Sequence, residues 1–167
     1  KEYRFLQKKH DLNPLDKYLW KYMRLRPCNF PSLRLAQFAA LIIRSNHLFS
    51  KIIDERDIAV ITAMFNKLKL NEYWNTHYRF DQECKYSAVS FGEEAVSNIL
   101  INTVSVFLFA FGIRTGSVIH RERGLMLLES LKPERNAIIR KFNDIGVNSS
   151  NSAISQALIQ LKKSYCD

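Results

Sequence analysis

Cysteine is scarce in this chain of 167 residues, and the three present, Cys28, Cys84 and Cys166, stand far apart. That spacing excludes a disulfide framework and a local zinc motif, so a reducing cytoplasm is the expected location. Glycine is also scarce, at five residues, and none of them builds a Gly-rich phosphate loop. No H-E-x-x-H motif occurs, no signal-peptide pattern is read, and there is no internal repeat, low-complexity linker or convincing strand pair. Acidic residues are few at the start: residues 1–51 hold only Glu2, Asp11 and Asp16 against eleven Lys/Arg, whereas the rest of the chain has fourteen against thirteen. The net charge of +9 is therefore, in sequence order, an N-terminal property. Such asymmetry suggests nucleic acid or an acidic partner surface.

What is abundant is apolar and aromatic surface, at 47% and 12% of residues, which excludes disorder. The run 93–112, EEAVSNILINTVSVFLFAFG, is apolar on nearly every side and spans about five helical turns. Asn98, Asn102, Thr103 and Ser105 interrupt it, which favours a protein interior over a membrane. Asn98, Asn102 and Ser105 share one helical face, so they form either a core stripe bonded to neighbouring helices or one wall of a polar pocket. The expected fold is all-α: one domain over 1–167, with six to eight helices packed round 93–112, a basic part at 1–51 and a helical core at 52–167.

A short basic helix is expected at 2–10. Asn13-Pro14 reads as the start of a helix carrying Leu15, Leu19, Trp20 and Met23 inward and ending before Pro27. Pro27 and Pro31 fix a stiff connector, with Asn29 bonded to its backbone and Ser32 capping a helix that runs to about Ser45. Asp57 caps a helix through Ile58, Ile61, Met64, Phe65 and Leu68. The aromatic stretch 71–86 reads as irregular, with at most one helical turn. Ser90 with Glu93 makes a capping box, and Gly112 and Gly116 end the central helix and bracket a short loop. The next helices carry Val118, Leu125 and Leu128 on one face, then Ile138, Phe142 and Ile145 inward from Pro133 to Gly146, then Ile154, Leu158, Leu161 and Tyr165 in register after a Ser152 cap. Gly124 would permit a close helix crossing.

Chemistry-bearing patterns are few. His10, His47, His77 and His120 are scattered, and Glu93-Glu94 suit a helix N-terminus without any catalytic role. The densest constellation is Lys17, Trp20, Lys21, Arg24, Arg26, Asn29, Phe30 and Arg34. Arginine forks suit phosphate and neighbouring aromatics suit bases, unless the arginines simply hold the loop. Trp20 and Phe30 either support the loop or stack a base. His77, Asn98, Asn102 and Asn136 form a candidate polar pocket.

The stretch WKYMRLRPCNFPSLRLAQFAALI, with YWNTHYRF, ILINT, PERNAII and the terminal SQALIQLKKSYC, resembles the bacterial family known as domain of unknown function 2851. The resemblance implies that this is the C-terminal half of a longer protein. In that family the other half carries a G-P-D-F…V-E-I-H pattern similar to a degenerate restriction-nuclease carboxylate site, so any catalytic acids would lie there. It further implies a metal or iron–sulfur site in the full-length protein, with Cys166 as its first ligand and no metal or cofactor held by this fragment. The leading expectation is an accessory nucleic-acid-binding module of a nuclease-like protein. The rivals are a helical interaction domain packing on its own N-terminal half, and an enzyme with a pocket beside His77, Asn102 and Asn136. No membrane partner is expected, and no catalytic residue is assigned.

Overall fold

The computed structural model describes residues 2–66, 68–80, 82–85 and 91–165, with Lys17 described by its backbone alone. Tyr86, Ser90 with its expected capping box, and Cys166 lie outside the described residues. The chain divides into two compact units, 1–36 with 70–89 and 37–69 with 90–167. In the first unit Glu72, Asp81 and Glu83 join the basic N-terminal residues, so its excess of Lys/Arg over acids is five rather than eight. The described residues are mainly helical, as expected, with eight helices when Glu93–Thr115 is counted as one.

The first unit holds α1 (Glu2–Lys9), the beginning of α2 (Pro31–Ser45) and a small antiparallel hairpin of β1 (His77–Arg79) and β2 (Gln82–Glu83). The hairpin corrects the expectation of no strand pair. The helix expected from Asn13 to Arg26 is not formed. Its place is taken by a single 3-10 turn at Lys17–Leu19 and irregular backbone leading to a second such turn at Pro27–Asn29, and Met23 is 85% exposed. The reason is aromatic packing. Trp20 meets Phe80 edge-on and Tyr22 meets Phe30 edge-on, and side chains two apart cannot both face inward from a helix. Pro31 opens α2 at the position where a missing N–H costs nothing. Ser32, expected as a cap, is instead buried and donates its hydroxyl to Tyr78 O at 2.5 Å.

The second unit holds the rest of α2, then α3 (Leu48–Asp54), α4 (Ile58–Asn66), α5 (Glu93–Ile99), a π-helical segment at Leu100–Ser105, α6 (Val106–Thr115), α7 (Val118–Ser130), α8 (Ala137–Asp144) and α9 (Ser152–Tyr165). Asp57 caps α4 as expected, accepting from the Ala59 N–H at 2.8 Å. The helix α3 was not legible; it follows two left-handed residues, Asn46 and His47, and has no side-chain cap. The segment α5–π–α6 is the axis of the core: Val96, Leu100, Val104 and Leu108 pack with Leu41, Leu48, Ile52, Ile61, Phe65, Leu68 and Leu127. This run is long and apolar enough to cross a membrane by length and composition.

The central helix ends at Gly116, φ +69°, and Gly112 lies inside it, buried beneath the start of α7. Its polar stripe is also split. Asn98 and Asn102 are exposed, while Ser105 is buried and returns its hydroxyl to Ile101 O at 2.5 Å. The π segment carries one extra residue per hydrogen-bonded turn, so residues beyond it rotate out of phase with those before it.

Close helix contacts in this unit are marked by small residues. Gly124 of α7 lies under Ser105 and Phe109. Ser152, wholly buried, donates to Leu128 O at 2.5 Å, while Asn151 takes the capping role expected of Ser152 by accepting from the Ile154 N–H. Ser155 donates to Ser152 O and accepts from the Glu134 N–H. The helix expected to open at Pro133 begins instead at Ala137, capped by Asn136, and of its flanks Ile139 is buried, whereas Ile145, expected to face inward with Ile138 and Phe142, is exposed. Val118 with Leu125, and Ile154 with Leu161 and Tyr165, are exposed as well. Arg123 of α7 reaches the end of α3, donating to Ile53 O at 2.5 Å, Ile52 O at 3.1 Å and Glu55 O. These carbonyls at the helix end have no partner within their own helix, and a cation there also suits the dipole. Burial lowers the Arg123 pKa, with Arg56 adding to the effect and Glu55 and Asp54 opposing it.

Candidate nucleic-acid interface

The prolines and the aromatic cluster shape the loop from Trp20 to Arg34. Phe30 packs edge-on to Tyr22 and Tyr78, at ring separations of 5.0 and 6.2 Å. The Arg79 guanidinium stands over Tyr22 at 4.0 Å and over Phe30 at 4.8 Å. Cation–π contacts of this kind strengthen as water is excluded, and the Arg79 Nε is fully buried, with no hydrogen-bond partner among the described residues. Trp20 and Phe30 therefore both have rings engaged within the loop's own support.

Arg34, from the first turn of α2, donates to Asn29 Oδ1 at 2.5 Å. The same oxygen lies 3.9 Å from Cys28 Sγ. The Asn29 amide thus serves a guanidinium and not the Pro27–Pro31 backbone, contrary to expectation. Burial pushes the Arg34 pKa down, with Cys28 opposing. Lys21, Arg24 and Arg26 are exposed, and none makes a side-chain hydrogen bond to another described residue. Arg24 sits in the left-handed region at φ +63°, a conformation that non-glycine residues rarely adopt.

The residues expected to line one polar pocket belong to two different units. His77 belongs to the first unit, stacked on Tyr73 at 3.8 Å with its Nδ1 bonded to Tyr73 O and Thr76 Oγ1. Asn98, Asn102 and Asn136 line an open cleft of about 500 Å³ in the second unit. Glu134 organises it: Asn102 Nδ2 donates to one carboxylate oxygen at 3.2 Å and Asn136 Nδ2 to the other at 3.3 Å. Asn136 also caps α8 by accepting from the Ile139 N–H. Among the described residues, no group of three or more His, Cys, Asp or Glu is placed to hold a metal ion.

Sequence reasoning missed Arg79 and Glu134, each of which holds the residues it did select. The only signals were an arginine between Tyr78 and Phe80, and a glutamate three residues before the start of α8. No curated protein and no solved structure matches the chain. A family model does match, over residues 1–137, a span that contains the loop and the cleft and leaves out α9. On that match the chain belongs to the family described as protein of unknown function DUF2851.

Proposed function

We propose that this chain is a nucleic-acid-binding module, with Lys21, Arg24 and Arg26 contacting phosphates. One observation carries the reading: these three cations are exposed on a loop whose shape is held by other groups, Arg79 on its aromatic rings and Arg34 on Asn29. Arg34, half-buried, belongs to that support. A stiff loop loses little conformational freedom when its cations meet a backbone of phosphates, and arginine forks match phosphate oxygens in pairs. The rings of Trp20 and Phe30 are occupied by Phe80, Tyr22, Tyr78 and Arg79, so recognition is of the backbone rather than of stacked bases. The resemblance in sequence extends the proposal to an accessory role beside a nuclease-like domain of the same protein, in the cytoplasm.

The test is a salt-dependent titration with single- and double-stranded oligonucleotides. Three phosphate contacts on duplex DNA give a log–log slope of about −3, and Arg26→Ala removes about one unit of it. A thermal melt of Arg26→Ala in the same buffer should match the wild type, because an exposed arginine supports no buried partner. Lost stability would mark Arg26 as part of the fold. Absence of any salt-sensitive binding would end the nucleic-acid reading and leave the helical interaction domain. That second reading draws support from large exposed apolar side chains such as Ile43 and Met126.

A further inference from the structure

Helix α8 has a sharply amphipathic pattern, yet the stripe that carries it is not in the core. Ile139 takes the buried position, while Ile138, Phe142 and Ile145, spaced four and three apart, share another flank. With Ala137, Lys141 and Lys162 of α9 they line an open groove of about 340 Å³. Apart from two lysines, its lining is aliphatic and aromatic, and Ile145 at its end is 74% exposed. The surroundings are basic. Over residues 132–165 there are six Lys/Arg against Glu134 and Asp144.

We infer that this groove is a docking site for an acidic amphipathic helix of a protein partner. The apolar floor supplies the area that a partner's leucine or phenylalanine side chains would cover. The stripe from Ile138 to Ile145 is two helical turns long, about 10 Å, which matches anchors at i, i+3 or i+4, and i+7 on a bound helix. Lys141 and Lys162 provide a cationic border that favours carboxylates flanking those anchors and disfavours a basic helix. This inference rests on α8 and α9 alone and is independent of the nucleic-acid reading.

The probe is a fluorescein-labelled helical peptide of about four turns, with leucines at i, i+4 and i+7 and glutamates on its other faces. A second peptide replaces every glutamate with lysine. Anisotropy should detect binding of the glutamate peptide and little of the lysine peptide, with amide chemical-shift changes concentrated on 137–145 and around Lys162. Ile145→Glu should weaken binding about tenfold without shifting the melt, and Phe142→Glu at least as much. Lys141→Glu combined with Lys162→Glu should transfer the preference to the lysine peptide. No binding, equal binding of both peptides, or binding insensitive to Ile145→Glu would overturn the proposal. Two other outcomes would overturn it by giving the groove a different occupant. One is a concentration-dependent dimer that Ile145→Glu dissociates; the other is binding to phosphatidylglycerol vesicles that the same variant abolishes.

Discussion

Replacing Gly112 or Gly124 by alanine sets helix propensity against packing, and the geometry says which wins. A Cβ on Gly112 would stand 2.5 Å from Arg121 N, 2.8 Å from Ser117 O and 2.9 Å from Arg121 Cα. On Gly124 it would stand 2.7 Å from Ser105 O and 3.0 Å from Phe109 N. Carbon contacts are comfortable at about 3.5–4.0 Å, so the shortfall is near 1 Å. The opposing atoms are backbone and cannot swing aside. At Gly112 they include the Arg121 N–H and Ser117 O that close the first turn of α7. Alanine gains about 1 kcal/mol of helix propensity, whereas overpacking costs about 1–3 kcal/mol and more when backbone must move. The expected net loss is about 1–2 kcal/mol for each variant, larger for Gly112→Ala, or roughly 3–6 °C in Tm. Far-UV circular dichroism during heating and urea unfolding measures it. Ala110→Gly, on the exposed side of α6, calibrates the propensity effect alone at about 1 kcal/mol. If Gly112→Ala or Gly124→Ala melts at or above the wild type, the close approach of α6 and α7 is wrong.

Arg123→Ala should cost about 2–3 kcal/mol, because three carbonyls at the end of α3 lose a charged donor. Arg123→Lys should recover only part of this, and amide exchange across Leu48–Asp54 should quicken in both variants. Asn136→Ala should lose about 1 kcal/mol of cap in urea unfolding. Asn136→Asp should also fall short of the wild type, since a carboxylate replaces the amide that donates to Glu134. Ser152→Ala should lower stability by about 1–2 kcal/mol in the same assay by removing the donor to Leu128 O.

Two local signals were legible, the cap at Asp57 before α4 and the stop at Gly146, φ +86°, after α8, whereas Ser32 and Ser152 read as caps but give their hydroxyls to partners remote in sequence. Which flank of a helix faces inward was less legible. Ile138, Phe142 and Ile145 read as the inward stripe of α8, yet Ile139 is its buried residue, and on α7 and α9 Gly124, Ser152 and Ser155 mark the contact faces, where backbones come too close for large side chains. The interval 15–26 read as a helix because apolar residues recur every three to four positions. Trp20 and Tyr22 gain more from Phe80, Phe30 and Arg79, partners remote in sequence that no local pattern announces. The same remoteness governs the loop. Its exposed cations follow from R-x-R-P, while its support comes from a hairpin some fifty residues later. In the cleft the amides were visible and their organiser, Glu134, was not.

The π segment makes the length of the central helix as consequential as its composition. Thr103 is exposed, so exchanging its side chain for another polar one disturbs little beyond solvent. Deleting the residue would also be absorbed: drawing Leu100–Ser105 back into a regular helix removes the extra residue and leaves Val106–Thr115 in phase with Glu93–Ile99. Deleting Ala110, equally exposed but in the regular part of α6, is another matter. The residues after it would turn by about 100°, and Ile113 would arrive where only Gly112 fits beneath α7. In a scan of single-codon deletions Thr103 would score with the surface, and Ala110 with the most buried positions of the protein.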